Sequence, residues 1–248
     1  LSTAGSGSNN FVPTAAQWRT ETINLNSYIG QSSVIVEFQN VANFGNKLYI
    51  DNINLVGTYS TLTMNLKAII EGFHLGGGMM NAVVNPGGQP LNCDSVTVEM
   101  REANSPYILK YSIKTILKTD GSITFNCPGT LYNTACYFVI KHRNSLETWS
   151  AAPQLLNGPS YTYDFTTGAS KSYGNNEVLN SGKYCIYSGD INQDGIIEST
   201  DFGDVENKSQ LFLFGYQVDD LTGDNLVESS DYGLIENNSQ LFLFSQRP

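Results

Sequence analysis

The chain has 248 residues, enough for one large domain or for two or three small ones. It is 40% hydrophobic but only 15% charged, against about 25% charged residues in typical globular proteins, which favours β-rich extracellular domains over cytosolic enzymes. The net charge of −10 lies at the C-terminus: residues 1–187 carry 11 acidic and 11 basic side chains, and residues 188–248 carry 12 and 2. This sign argues against a nucleic-acid partner, and clustered carboxylates indicate either solvation or bound cations.

The four cysteines are even in number and none lies in a C-x-x-C pair, which predicts two disulfides of an exported protein. Three pairings are possible, and proximity in sequence favours Cys93 with Cys127 and Cys136 with Cys185; free buried thiols are the alternative. No apolar run reaches the roughly 18 residues of a membrane span. The chain begins with Leu1 rather than Met, which suggests a processed or truncated piece of a longer protein.

The first segment, residues 1–57, contains three strand-like runs, Thr20–Leu25, Ser33–Gln39 and Lys47–Val56. Three strands are too few for an independent sandwich. Trp18, Ile23–Leu25 and the Gly45–Leu55 run resemble the closing strands of jelly-roll modules in secreted bacterial proteins, the carbohydrate-binding and MAM-like group. The resemblance implies glycan binding, with a structural spacer as the alternative.

The second segment, residues 58–187, has strand patterns at the regular spacing of a sandwich. The predicted strands are Thr61–Ile70, Ser95–Glu102, Tyr107–Ile116, Ser122–Asn126, Tyr137–His142 and Ser160–Phe165. We predict a single antiparallel β-sandwich of immunoglobulin or fibronectin type. The Lys141–Ser150 string (KHRNSLETWS) and the Asn65–Phe73 run resemble C-terminal modules of large secreted Bacteroidetes proteins. This resemblance implies an extracellular or cell-surface location and no particular chemistry.

The third segment, residues 188–248, is an internal duplication. Residues 190–201 align with 220–231 at an offset of 30, and the match continues to the Leu-Phe-Leu-Phe blocks at 211–214 and 241–244. Such a repeat usually means one supersecondary unit used twice. Because exposed apolar blocks promote aggregation, we expect each block to bury at least one face, Phe212 included.

Both copies fit a 12-residue calcium loop, which supplies oxygen ligands from positions 1, 3, 5, 7 (a backbone carbonyl), 9 (often through water) and 12. In the first loop these are Asp190, Asn192, Asp194, Ile196, Glu198 and Asp201. In the second they are Asp220, Thr222, Asp224, Leu226, Glu228 and Asp231. The turn at position 6 is Gly195 in one and Asn225 in the other. We therefore predict two bound Ca²⁺ ions, the first loop binding more tightly.

The doubled loop, with Asp at position 12 and a helix after each loop, resembles the dockerin modules of bacterial extracellular proteins. That resemblance implies a cohesin partner facing Ser199-Thr200 and Ser229-Ser230. The Glu206–Gln210 stretch and its twin depart from the cellulosomal pattern, which favours an intramolecular structural role on the sandwich.

No catalytic motif is present, because His74 and His142 are the only histidines and neither H-E-x-x-H, a phosphate loop nor G-x-S-x-G occurs. The three segments together predict a mainly β fold class: a partial jelly roll, an immunoglobulin-like sandwich and a small helical calcium module. We predict a non-enzymatic structural or adhesive region of a secreted or cell-surface bacterial protein. The alternative is a carbohydrate-binding appendage of a secreted hydrolase. Calcium is the expected partner, with glycans or another surface protein as further candidates.

Overall fold

The computed structural model describes residues 12–28, 33–39, 49–55, 57 and 60–248. The chain divides into two compact units, Leu1–Gly57 and Thr58–Pro248. In the first unit the described residues form two short 3-10 helices, Ala15–Gln17 and Asn26–Tyr28, and no strand.

The strands predicted for the first unit are therefore wrong wherever the structure describes them. Of Lys47–Val56, residues 49–55 are described without regular structure, and 47, 48 and 56 lie outside the described residues, as do 45 and 46 of the resemblance. A strand is stabilised by a paired neighbour and a buried face. No described residue between 12 and 57 is buried, and Ile35 is 90% exposed.

The second unit is mainly β, with two helices near its end. Over residues 60–248, which are described without a gap, the strands are β1 Thr61–Lys67, β2 His74–Gly76, β3 Met79–Met80, β4 Asn92–Glu102, β5 Leu109–Lys118, β6 Ser122–Pro128, β7 Ala135–His142, β8 Ser145–Trp149, β9 Gln154–Leu155, β10 Ser160–Asp164, β11 Val178–Asn180 and β12 Lys183–Cys185. The α-helices are α1 Ser199–Ser209 and α2 Ser229–Ser239, and short 3-10 helices lie at Gly129–Leu131, Phe165–Thr167, Ala169–Lys171 and Tyr173–Asn175. No helix in the described part of the chain is long and apolar enough to cross a membrane.

Two sheets form the body of this unit. One has the strand order β10-β1-β6, and the other has the order β5-β4-β7-β8 with β9 paired to β7. The six predicted strands all overlap observed ones, but β10 runs parallel to β1, so the fully antiparallel arrangement was wrong. Side-chain alternation identifies a strand and its buried face, and it carries no information on the direction of the neighbour.

The main core lies along these sheets, because apolar residues occupy alternate positions of the strands. In β1, Leu62, Met64 and Leu66 are buried and alternate with partly exposed residues. They share one cluster of buried residues with Val98 of β4 and Phe138 of β7. Trp149 is also buried, as expected of a core tryptophan, whereas Trp18 in the first unit is 45% exposed.

All four cysteines are buried and unpaired, so the two predicted disulfides are wrong. Each thiol fills an apolar position as a small hydrophobic group. The sulfur of Cys93 lies 3.9 Å from the Sδ of Met80, and that of Cys185 lies 3.9 Å from Nδ1 of His74. Burial raises the pKa of both thiols, which keeps them protonated.

Candidate metal centre

Each helix begins at the end of a predicted calcium loop, and the acid at position 12 closes that loop. Asp201 is fully buried, and its Oδ1 accepts the amides of Ile191 at 2.9 Å and Asn192 at 3.1 Å. Its Oδ2 accepts the amide of Glu198 at 3.2 Å, the residue that precedes α1. Asp231 repeats this pattern in the second loop. A carboxylate offers about four lone pairs, so one remains on Oδ2 for a cation.

The acids at position 1 are also buried in the loops. Asp190 is 2% exposed, and its Oδ1 is buried without a hydrogen-bond partner. Burial raises the pKa of Asp190 to about 7, and the nearby charges of Asp201 and Asp194 act in the same direction. A buried carboxylate oxygen without a partner is costly, and either a proton or a bound cation removes the cost.

Its counterpart Asp220 is fully buried and better satisfied. The Asp220 carboxylate accepts the amides of Gly223 at 2.7 Å and Asn225 at 3.0 Å. Burial raises its pKa to about 6, and the charge of Asp231 adds to the shift. Burial likewise raises the pKa of Asp231.

The side chains at positions 3 and 5 turn the loops. Oδ1 of Asn192 accepts the amide of Asp194 at 2.9 Å, and Asp224 makes the same kind of bond, at 2.9 Å, to the amide of Leu226. The hydroxyl of Thr222 lies only at the limit of hydrogen bonding from Asp220, at 3.5 Å. These oxygens keep spare acceptor capacity while they shape the turn.

The carbonyls at position 7 face the loops. Ile196 forms an isolated antiparallel bridge with Phe244, in which the flanking residues exchange the hydrogen bonds. In such a pair the amide and carbonyl of the bridged residue point away from the partner strand. The Ile196 amide accordingly donates to Asp194 at 2.9 Å on the loop side, and its carbonyl faces the same way. Leu226, bridged to Phe214, repeats the arrangement.

The two repeats exchange their Leu-Phe-Leu-Phe blocks. Block 211–214 pairs with the second loop, and block 241–244 pairs with the first. Only the third residue of each block is partly buried, and Leu243 packs on the core of the module. Phe212 is 59% exposed and Phe242 is 86% exposed, so the expected burial of Phe212 is wrong.

Taken together, the residues fit calcium better than a metal that prefers nitrogen or sulfur ligands. Each loop offers carboxylate, amide or hydroxyl, and carbonyl oxygens, the ligands of a hard cation. Across the described residues, no three His, Cys, Asp or Glu side chains stand together so as to hold a metal by themselves. A metal site in either loop would therefore also need oxygens from side-chain amides or hydroxyls and from backbone carbonyls. Asn192, Ile196, Thr222 and Leu226 would have to contribute.

The loops rest on the turn between β7 and β8, within the Lys141–Ser150 string. The Arg143 guanidinium lies 4.4 Å from the ring centre of Tyr216 and donates to Asp94 at 2.9 Å and to the carbonyl of Gln217. The amide of Asn144 donates to the carbonyl of Asp220 at 2.9 Å. Sequence reasoning missed these contacts because their partners are more than 40 residues apart.

Asp94, His142 and Ser145 form a hydrogen-bonded line that the sequence did not reveal. His142 Nε2 lies 3.2 Å from Asp94, and Nδ1 lies 3.0 Å from the hydroxyl of Ser145. Burial would raise the pKa of Asp94, but His142 and Arg143 outweigh it and hold that pKa well below its usual range. Burial lowers the pKa of His142. All three residues are at most 3% exposed, so a substrate cannot reach the hydroxyl of Ser145. Their hydrogen bonds stabilise the turn between β7 and β8.

No family model matches the chain, and no curated protein matches it. Among solved structures, an interface mutant of a type II cohesin–X–dockerin complex from Acetivibrio cellulolyticus aligns at 12% identity and a TM-score of 0.43, over 73% of this chain and 99% of that chain. A second interface mutant of that complex from the same organism aligns at 14% identity and a TM-score of 0.40, over 74% and 100%. Similarity at this level establishes no common fold.

Proposed function

We propose that this chain is a non-catalytic, calcium-stabilised region of a secreted or cell-surface bacterial protein, with a structural or adhesive role. Residues 188–248 would be a dockerin-like module on an immunoglobulin-like sandwich of residues 58–187. The main support is the duplicated loop whose first ligand, Asp190, has a buried oxygen without a hydrogen-bond partner.

An intramolecular role is supported by the way the loops meet the sandwich. Leu146 belongs to β8, yet it packs in the core of the helical module with Ile197 and Leu221. Glu71 accepts the amide of Ser188 at 3.1 Å and the side-chain amide of Asn238 at 2.7 Å. A module held by so many buried contacts stabilises its neighbour when it binds an ion. The carbohydrate-binding alternative is supported only by the exposure of Trp18.

Calcium titration of the whole chain by calorimetry tests this proposal. We expect two sites, with Asp190→Ala abolishing the tighter one and Asp220→Ala the weaker one. Because ligand binding to the native state stabilises it, a chelator should lower both the melting temperature and the helicity. Unchanged melting and helicity in chelator would show that the calcium assignment is wrong.

The expected order of the affinities rests on two differences. The amide oxygen of Asn192 is a better calcium ligand than the hydroxyl of Thr222. The turn is made by Gly195 at φ 89° in the first loop, whereas Asn225 adopts φ 68°, a region that strains residues with a side chain. Gly195→Ala should therefore weaken the first site, and Asn225→Gly should strengthen the second. Equal or inverted affinities would contradict this ligand argument and leave the module assignment intact.

A further inference from the structure

Asn144, in the turn between β7 and β8, touches the entrances of both loops. It is fully buried, and its side-chain amide donates to the carbonyls of Val218 and Asp220, both at 2.9 Å. Its own backbone carbonyl accepts the amide of Gly189 at 2.7 Å. Gly189 lies immediately before position 1 of the first loop. Asp220 is itself position 1 of the second loop.

The backbone at the entrance of the first loop is tightly packed. Gly189 adopts φ +129°, and a Cβ there would lie 2.5 Å from Cδ1 of Ile235 and 3.0 Å from Cγ2 of Ile197. The backbone at Gly189 therefore has only one position available beside Asn144. A shift at this residue would be transmitted to Asp190, the next residue in the chain.

Two other hydrogen bonds between the sandwich and the loops reach one loop each. The side-chain amide of Asn81 donates to the carbonyl of Thr222, in the second loop, at 2.8 Å. The side-chain amide of Gln193, in the first loop, lies 3.4 Å from the carbonyl of Ser145. These two residues provide matched single-loop comparisons for Asn144.

We propose that Asn144 is a positioning residue that fixes the first calcium ligand of both loops and couples the two sites. The inference rests on the proposed calcium binding and adds how the sandwich regulates it. When one loop is ordered by its ion, Asn144 is held in place and the other entrance is already formed. Binding of the second ion then costs less conformational entropy, which gives positive cooperativity. Without the side chain, each ion must order its own loop.

Calorimetric titration of the full chain tests the proposal. Asn144→Ala removes the two side-chain hydrogen bonds at the second entrance and should weaken calcium binding at the second site by about tenfold or more. It keeps the backbone carbonyl that accepts the Gly189 amide, so the first site should weaken only through the coupling and by a smaller factor. Asn81→Ala should weaken only the second site and Gln193→Ala only the first. Asn104→Ala, in an exposed turn, is the control and should change neither.

A second measurement does not depend on Asn144→Ala folding well. In Asp190→Ala, which retains the second site, coupling predicts that the second loop binds calcium several-fold more weakly than in the parent chain. In chelator, hydrogen exchange at the Gly189 amide should be faster in Asn144→Ala than in the parent. Unchanged affinities in both variants would overturn the coupling, whereas a parent chain that binds no calcium would overturn the proposed function instead.

Discussion

At the scale of single residues, the aromatic side chains that follow the helices are held outward by their own backbone. Phe212 and Phe242 adopt φ angles of 47° and 54°, a region that bulky residues rarely occupy. The same conformation occurs in both repeats, with both rings largely exposed. Backbone in this region is sustained by the surrounding structure, here the helix ends and the paired blocks.

Phe212→Ala should therefore change the free energy of unfolding by no more than about 0.5 kcal/mol, as for surface substitutions. Phe165, which is 0% exposed, is the matched comparison, and Phe165→Ala should cost about 3–5 kcal/mol. Denaturant unfolding of both variants measures the difference. A loss of more than about 2 kcal/mol for Phe212→Ala would show that its ring is packed in solution.

Glu177 is a buried acid outside the loops. It is 5% exposed, and neither carboxylate oxygen has a hydrogen-bond partner, because the nearby hydroxyl of Ser172 donates to Ala169 instead. Burial raises the pKa of Glu177 to about 8, with the charge of Asp164 acting in the same direction. The folded chain therefore holds this proton to a higher pH than the unfolded chain does.

It follows that Glu177 stabilises the fold least at high pH. Its contribution is fully present below the usual glutamate pKa and is lost as the pH rises to about 8, because only the unfolded chain ionises freely in that window. Glu177→Gln should be more stable than the parent at pH 8, and this advantage should shrink toward pH 4. Chemical denaturation across that range measures it. An advantage independent of pH would show that Glu177 is ionised in the folded chain.

At the scale of elements, each repeat completes the loop of the other. The amide of Ser245, after the second block, donates to the carbonyl of Gly195 at 2.7 Å, and the amide of Gly215 donates to Asn225 at 2.9 Å. Neither loop is therefore an independent structural unit. The pairing joins segments about 50 residues apart in the first case, so a local repeat pattern could not have indicated it.

Removing one of these exchanged bonds should affect the distant loop. Ser245→Pro removes the amide donor and should weaken calcium binding at the first loop, although Ser245 lies in the second repeat. Ser245→Ala keeps the amide and loses only a buried hydroxyl without a partner, so it should bind calcium as the parent does. Calorimetric titration of both variants with calcium measures the affinity of each loop. Weakening confined to the second loop would contradict the exchanged pairing.

The elements also show what sequence patterns can predict. Six strands of the sandwich were located from their runs of strand-forming residues, and in β1 and β6 the alternating apolar residues are the ones that become buried. The direction of β10 depends on a connection through space, and β8 was missed because its residues are buried on both faces and do not alternate. In the first unit, the strand-like runs form no strand in the described residues. Spacing likewise named the loop residues but not Asn144, whose role depends on long-range contacts.

At the scale of the whole molecule, the sandwich and the helical module share buried contacts. Phe73 belongs to the sandwich core, and a Cβ on Gly223 of the second loop would lie 2.7 Å from its Cδ1. Leu146 extends the module core into β8. Close packing of this kind transmits the loss of one part to the other. The described residues of Thr58–Pro248 accordingly form one compact unit.

We therefore expect one cooperative melting transition for this unit, shifted as a whole by calcium. Trp149, buried in the sandwich, reports on the sheets once Trp18→Phe removes the other tryptophan, and circular dichroism at the helix band reports on α1 and α2. At a calcium concentration about 100 times the dissociation constant, each site adds about 2.7 kcal/mol, or roughly 5–10 °C for a unit of this size. Chelator removes both ions and should lower both midpoints together by about twice that amount, roughly 10–20 °C. If the helix signal melted earlier while Trp149 emission kept its midpoint, the module would unfold alone and the shared packing would not couple the two parts.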